Sequence, residues 1–344
     1  MQEAMTAFPS LPDIQATQAL LSGLVRSTPC LEIGPGELAS DTTFDSTLIF
    51  KLELLQVTGT FKPRGALSVM LNLPAAERAR GVTAVSAGNH AIAVAFAARA
   101  LGTTAKIVMM KSANPARVQL ALGYGGEIEF APDGPSAFAR VKEIESQEGR
   151  TFVHPFEGPR TVLGTATVGI ELCAQTKQLD AVVVAVGGGG LLAGVAAAVK
   201  LRSPGTRVYG VEPQGADSMT RSFAAGHPVT LSSVSTIADS LAPPMATPYT
   251  YAVCREFVDQ MTLIDDDAMR TTMGIQFRDL KLCVEPAGAA ALAAVLGPLR
   301  GELQGGKRVG VIVCGSNIDL ATFYAQTGKP PATADSRTDS GRAP

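Results

Sequence analysis

Residues 181–199 are apolar throughout and nearly long enough to cross a bilayer. Four consecutive glycines, Gly187, Gly188, Gly189 and Gly190, stand in the middle and oppose a continuous helix there. The segment therefore reads as a buried strand, a glycine loop and a buried helix. Strands buried on both faces belong to parallel sheets covered by helices, and this one segment directs the chain toward an α/β fold.

The remaining sequence follows the same alternation. Strand-like runs at 48–54, 82–86, 105–109, 127–130, 151–153, 181–186, 208–212 and 308–314 are separated by helical patterns. Those helices are read at 14–25, 63–73, from His90 to about residue 101, and at 114–122, 135–147, 162–176, 268–280 and 286–296. Strands alternating with helices predict an open, mostly parallel sheet flanked by helices. From Thr327 onward Pro, Thr, Ser and Gly dominate, which predicts a disordered tail over 327–344.

With 344 residues, 46% of them hydrophobic, the chain can bury two domains or two lobes of one. A net charge of -2 argues against nucleic-acid or membrane-surface partners. The five scattered cysteines contain no Cys-x-x-Cys and suit free thiols in a reducing cytoplasm. No basic cluster followed by an apolar run occurs in residues 1–15, so no secretory signal is expected.

Four short stretches could carry chemistry. Lys62 lies between Phe61 and Pro63, with Gly59 and Gly65 on either side. Pro63 disfavours helix at Lys62, so a turn is expected to hold the lysine just ahead of a helix. Partial burial would lower its pKa and give the neutral amine that carbonyl chemistry requires. A solvated lysine at a helix start is the plainer reading. The loop from Gly187 to Gly190, closed by Leu191, joins strand to helix and suits a phosphate bound by backbone N–H groups. A dinucleotide site is its rival, because Glu212 ends the next strand where a ribose-binding acid would stand. The uninterrupted glycine run and the unexplained Lys62 count against it. Simple strand-to-helix packing is the third reading. The loop Ser86, Ala87, Gly88, Asn89 and His90 also follows a strand, and its amides could take a carboxylate. Its plainer readings are Asn89 as a helix cap and His90 as a packed histidine. Cys314 reads as a buried strand residue or as a weak hydrogen-bond partner to a ring nitrogen.

Taken in order, Phe61-Lys62-Pro63-Arg64-Gly65-Ala66, Ser86 to His90, Gly187 to Gly190, Glu285-Pro286-Ala287-Gly288-Ala289 and Cys314 to Asn317 resemble the signatures of fold-type II pyridoxal-phosphate enzymes. The branch resembled is that of threonine/serine dehydratases and serine racemases. The resemblance implies two open, mostly parallel twisted sheets flanked by helices, as in the tryptophan synthase β chain. It implies a large cofactor domain of residues 1–70 and 152–326, a small mobile domain of 71–151 inserted in it, and a homodimer. It also implies pyridoxal 5'-phosphate held on Lys62 as a Schiff base, with Phe61 beside the ring. The phosphate would lie on Gly187, Gly188, Gly189, Gly190 and Leu191, the ring hydroxyl on Asn89, and the ring nitrogen on Cys314, with Glu285 among the cofactor residues. Substrate would meet Ser86, Ala87, Gly88, Asn89 and His90, and also Thr165 and Ala166.

The departures from the family are informative. Ala87 stands where serine racemases resembling this chain carry a proton-handling serine, which favours elimination over racemisation. After His154-Pro155-Phe156, Gly164-Thr165-Ala166-Thr167 replaces the Gly-Gln-Gly-Thr of many relatives. No metal is expected; the candidate positions are Glu212, Ala216 and Ser218, and Ser218 replaces an aspartate. The implied reaction is β-elimination from a hydroxy amino acid such as threonine or serine, giving a 2-oxo acid and ammonia. Rival outcomes are racemisation, or dehydration of hydroxyaspartate, phenylserine or a pathway-specific hydroxy amino acid. From other classes, the rivals are a nicotinamide dehydrogenase and a non-catalytic ligand-binding or scaffold protein.

Overall fold

The computed structural model describes residues 7–328. Ten strands form two sheets. The six-stranded sheet contains β1 (Cys30–Ile33), β2 (Thr47–Lys51), β7 (Ala181–Ala185), β8 (Arg207–Pro213), β9 (Gln260–Ile264) and β10 (Arg308–Ile312) in the order β1-β2-β10-β7-β8-β9. Only β1 runs antiparallel to its neighbour. The four-stranded sheet is parallel throughout, with β3 (Val82–Val85), β4 (Ala105–Met110), β5 (Glu127–Ala131) and β6 (Thr151–Phe152) in the order β5-β4-β3-β6. Its strands lie between β2 and β7 in sequence, so the chain leaves the larger sheet and later returns to it.

All five residues of β7 are buried. Helices α8 (Gly190–Arg202) and α12 (Pro286–Leu296) are apolar on every side and almost wholly buried. These are the sheet strand and covering helices that the apolar runs predict. A separate apolar cluster under the smaller sheet is built on Val82, Ala84, Ile107 and Met109 with α4 (Asn89–Ala100).

Two departures from the sequence expectations matter for function. The strand expected to reach residue 54 ends at Lys51, and Glu53–Leu55 forms a 3-10 turn that directs the Glu53 carboxylate inward. Lys62 is also not ahead of its helix; it is the first residue of α2 (Lys62–Leu71). Phe61 already has helical φ and ψ, and a proline in the first turn forfeits no intrahelical hydrogen bond. Elsewhere the helix expected to run to residue 25 stops at Leu21 (α1, Leu11–Leu21), and Gly23 then takes a positive φ. Strands β1 and β9 and helices α9 (Ser218–Ala225) and α10 (Pro248–Phe257) carry patterns too short or too polar to be read beforehand. Thr327, the first residue of the expected tail, closes α14 (Leu320–Thr327), and residues 329–344 lie outside the described part.

One helix sets the spacing of the site. α7 (Pro159–Gln175) lies between α2 and α8 in near backbone contact with both. A Cβ on Gly164 would come within 2.3 Å of Arg64 O, and one on Gly194 within 2.2 Å of Thr165 Oγ1. Arg64 is fully buried beneath this contact. Its guanidinium pairs with Glu53 at 2.8 Å and Glu171 at 2.7 Å and also donates to Thr167 and to Arg26 O. Lys51 adds a second buried cation on Glu171 at 2.7 Å. Burial alone would raise the Glu53 carboxyl, but Arg64 holds it below its usual range. Arg64→Ala should destabilise the protein by about 3–5 kcal/mol, because two buried carboxylates lose their main partner. Urea unfolding at pH 7 measures this, and a loss under about 1 kcal/mol would contradict the network's role.

Candidate active site

The lysine is placed by ties between the start of α2 and the loop after β10. Thr60 forms an isolated antiparallel bridge with Gly315, and the Phe61 N–H donates to Cys314 O at 3.2 Å. Phe61, Lys62 and Cys314 are thereby brought together although some 250 residues apart in sequence. Lys62 Nζ donates to Pro155 O at 2.7 Å and lies 5.2 Å from the Phe61 ring centroid. Burial lowers the amine to about 8, against the opposing pull of Cys314 and Glu285. The solvated-lysine reading therefore fails.

Between β7 and α8 the glycine loop is shaped by what packs on it. Gly189 has φ +88°, and a Cβ on Gly188 would meet the Phe156 ring at 2.2 Å. A Cβ on Gly190 would lie 2.6 Å from Phe156 O. None of the N–H groups from Gly187 to Leu191 has an acceptor among the described residues. Unclaimed amides at the N-terminus of a buried helix suit a phosphate group. Gly190, Leu191, Phe61 and Lys62 line one cavity with His154 and Thr165. An amine held close to neutrality beside an open amide cradle fits pyridoxal phosphate.

The loop after β3 supplies Asn89. It begins α4 instead of capping it, since Gly88 is the cap residue and the Asn89 side chain turns to other partners. Asn89 Nδ2 donates to Glu285 Oε1 at 2.7 Å and to Ser240 Oγ at 3.2 Å, and its Oδ1 accepts from Asn317 Nδ2 at 2.9 Å. Burial raises the Glu285 carboxyl to about 7, while the Arg117 charge draws it back. Ser86 Oγ accepts from the Gly88 N–H, and Ala87 between them carries no polar group. His90 is a packed histidine: it donates Nε2–H to Val153 O at 2.8 Å, and burial lowers it to about 3. Cys314 is buried, and its thiol hydrogen is directed to Ala287 O at 3.3 Å. Burial pushes that thiol far up, so it stays neutral.

Some expected residues are elsewhere. Ala166 faces away from Lys62 and packs with Ile14, Ile170 and Ala198, because it lies on the α1 side of α7. Thr165 does reach the cavity, yet its hydroxyl is spent on Val162 O and Gly190 O. Its role is to fasten α7 to α8. Glu212 is fully buried, and its oxygens accept from the Met219 N–H, the Thr220 N–H and Thr220 Oγ1. It caps α9 and is unavailable to a ribose, which removes the support for a dinucleotide. The same engagement fits a metal poorly. Ala216 lies in the turn after β8 and Ser218 opens α9, and no group of three His, Cys, Asp or Glu side chains gathers among the described residues.

Two contributors were not read as site residues from the sequence. Arg117, from α5 (Pro115–Gly123), enters from the four-stranded sheet and pairs with Asp239 and Glu285. His154 Nδ1 accepts from the N–H groups of Phe156 and Glu157, which leaves its proton on Nε2; burial lowers it to about 4. His154 thereby fixes the turn that offers Pro155 O to Lys62 and Phe156 to the glycine loop. The adjacent His154, Pro155 and Phe156 were the only available signal, and Arg117 had none.

Residues 21–315 match the family model of pyridoxal-phosphate dependent enzymes. The chain belongs to that family. It is 52% identical to phenylserine dehydratase of Ralstonia pickettii over 94% of this chain and 98% of the relative. It is 38% identical to a catabolic L-threonine dehydratase of Escherichia coli strain K12 over 82% of this chain and 86% of the relative. The structure of maize serine racemase superposes with a TM-score of 0.86 at 34% identity, covering 93% of this chain and 98% of that one.

Attachment of the cofactor requires a neutral Lys62. Cofactor uptake by the apoprotein, followed by absorbance, should therefore accelerate up to a pH of about 8 and then level off. A rate still climbing at about pH 10, as an ordinary lysine would give, contradicts the lowered pKa.

Proposed function

We propose that the protein is a dehydratase that converts a β-hydroxy-α-amino acid to a 2-oxo acid and ammonia. The observation that carries this reading is the juxtaposition of the Lys62 amine, lowered to about 8, with the unclaimed amides of Gly187 to Leu191. Pyridoxal phosphate, when bound, supplies an electron sink for charge left on the substrate α-carbon. Gly187, Gly188, Gly189, Gly190 and Leu191 would hold its phosphate, Asn89 and Glu285 would take its hydroxyl, Cys314 would serve its ring nitrogen, and Phe61 would pack beside its ring.

The neutral Lys62 amine takes the α-proton as general base. Ser86, Ala87, Gly88, Asn89 and His90 form the wall for the substrate carboxylate. Loss of the β-hydroxyl as water leaves an enamine. Its tautomer adds one water and releases ammonia, so substrate and products balance as amino acid to oxo acid plus ammonia.

Elimination is favoured over racemisation because Ala87 has no group to return a proton to the opposite face. Phenylserine is the first substrate to test, given the 52% identity to a phenylserine dehydratase across nearly the whole of both chains. Threonine and serine come next, with hydroxyaspartate behind them. We further place the enzyme in the cytoplasm as a homodimer acting on a free amino acid. The free thiols support the compartment, and exposed apolar side chains such as Leu320 and Tyr324 suit an interface. No helix among the described residues is long and apolar enough to cross a membrane. Residues 71–151 are proposed to move as a small domain against 1–70 and 152–326, because a separate sheet organises them.

The purified holoenzyme should release keto acid and ammonia in equal amounts from at least one of phenylserine, threonine and serine. Absence of keto acid from every β-hydroxy amino acid would sink the proposal. Lys62→Ala should reduce turnover by at least about a thousandfold, since it removes both the cofactor anchor and the base.

A further inference from the structure

Arg117 is the cation through which the four-stranded half of the molecule meets the lysine site. It lies in the first turn of α5 and is 6% exposed. Its Nε donates to Asn317 O at 2.9 Å, one terminal nitrogen pairs with Asp239, and the other donates to Glu285 Oε2 at 3.2 Å. Among the described residues these are the only ion pairs between residues 82–152 and the rest of the chain.

The contacts close on themselves. Glu285 accepts from Asn89 Nδ2, Asn89 Oδ1 accepts from Asn317 Nδ2, and Asn317 O accepts from Arg117. Arg117, Glu285, Asn89 and Asn317 thus form a ring drawn from both halves of the molecule. Gly88 lies against it, since a Cβ there would come within 3.0 Å of an Arg117 terminal nitrogen. The ring has a polarity. A carboxylate accepts at both oxygens, whereas a protonated one must donate from one of them. The ionised form of Glu285 is therefore the form that receives Arg117 on one oxygen and Asn89 on the other.

We propose that Arg117 is a positioning residue for cofactor binding and turnover: by holding Glu285 ionised and in place it aims the Asn89 amide, and it makes that aim depend on the placement of the four-stranded half. The inference rests on the pyridoxal-phosphate reading of the site. Burial opposes the ionised form and raises the Glu285 carboxyl to about 7; Arg117 draws it down, Asp239 pushes it up, and Asn89 and Ser240 favour the charged form. Lys62 and Cys314 are the other titratable groups that face it. A simple staple between the halves would act equally through the Asp239 arm. The ring assigns the effect to the Glu285 arm.

The test compares full-length Arg117→Gln, Arg117→Lys and Asp239→Asn with the parent. Cofactor uptake by the parent is measured first, which separates a failure of the functional reading from a failure of this one. Arg117→Gln should weaken pyridoxal phosphate binding, titrated by absorbance on the apoprotein, by roughly tenfold or more. It should lower kcat more than it raises KM. It should also move the acid limb of the kcat/KM profile upward by about one pH unit, because Glu285 then ionises later. Arg117→Lys should recover part of each effect. Asp239→Asn should lower Tm, leave cofactor affinity in place and move the acid limb downward, opposite to Arg117→Gln, because the Asp239 charge pushes Glu285 up. An Arg117→Gln protein that binds cofactor and titrates like the parent overturns the proposal. So does an Asp239→Asn protein that reproduces the full loss. If Arg117→Gln does not fold, Arg117→Lys set against Asp239→Asn decides the same question.

Discussion

The structure depends on one buried guanidinium. Arg64 follows Lys62 by two residues and has no solvent exposure. Leaving such a charge unpaired in the interior is prohibitive, so its donors dictate where their acceptors must stand. Glu53 meets it from the 3-10 turn after β2, Glu171 and Thr167 from α7, and Arg26 O from the segment after α1. With Lys51 also on Glu171, the cluster contains two cations and two carboxylates and is neutral as a whole. Its importance lies less in net stability than in specificity. Only one placement of α2 against α7 satisfies every partner, and that placement fixes where Lys62 emerges.

α7 extends this constraint to the glycine loop. Gly164 allows it to touch the backbone of α2, while Thr165 binds it to Gly190 O at the start of α8. The lysine and the amide cradle are thus set by contacts on two sides of a single helix. The segment 164–167 serves this spacing before anything else. A substitution at Ala166 would reach the chemistry through geometry, because Ala166 does not line the cavity.

The division of labour between the sheets follows from their connectivity. Loops at the carboxyl ends of β7 and β10 bring the amide cradle and Cys314, and the strand-end loop of β3 brings Asn89 from the other sheet. Parallel strands place such loops at one end of a sheet, where ligands bind. Asn89 meets Glu285 across the gap between the two sheets, so part of the site exists only while both halves are in register.

Several features could be read without coordinates because they are local. Four glycines inside an apolar run force a strand, a loop and a helix, and the amides they expose follow from backbone geometry alone. Lys62, Asn89 and Cys314 were legible as a set, since each lies in a short segment at a strand end or helix start. Strands β1 and β9 were missed, being short, half-polar and at the edges of their sheet. The unread and misread residues are those whose meaning comes from partners far along the chain. Arg117 looks like any polar helical residue until Glu285 is beside it, 168 positions away. Glu212 has the sequence position of a ribose-binding acid until the turns of α9 claim both its oxygens. By itself the sequence determined the fold class and the strand, glycine loop and helix of residues 181–199, because periodicity and glycine geometry act over a few residues. The tertiary structure alone decided which charges are paired and which polar groups are already occupied, because burial and hydrogen bonding are settled by residues that the chain order keeps apart.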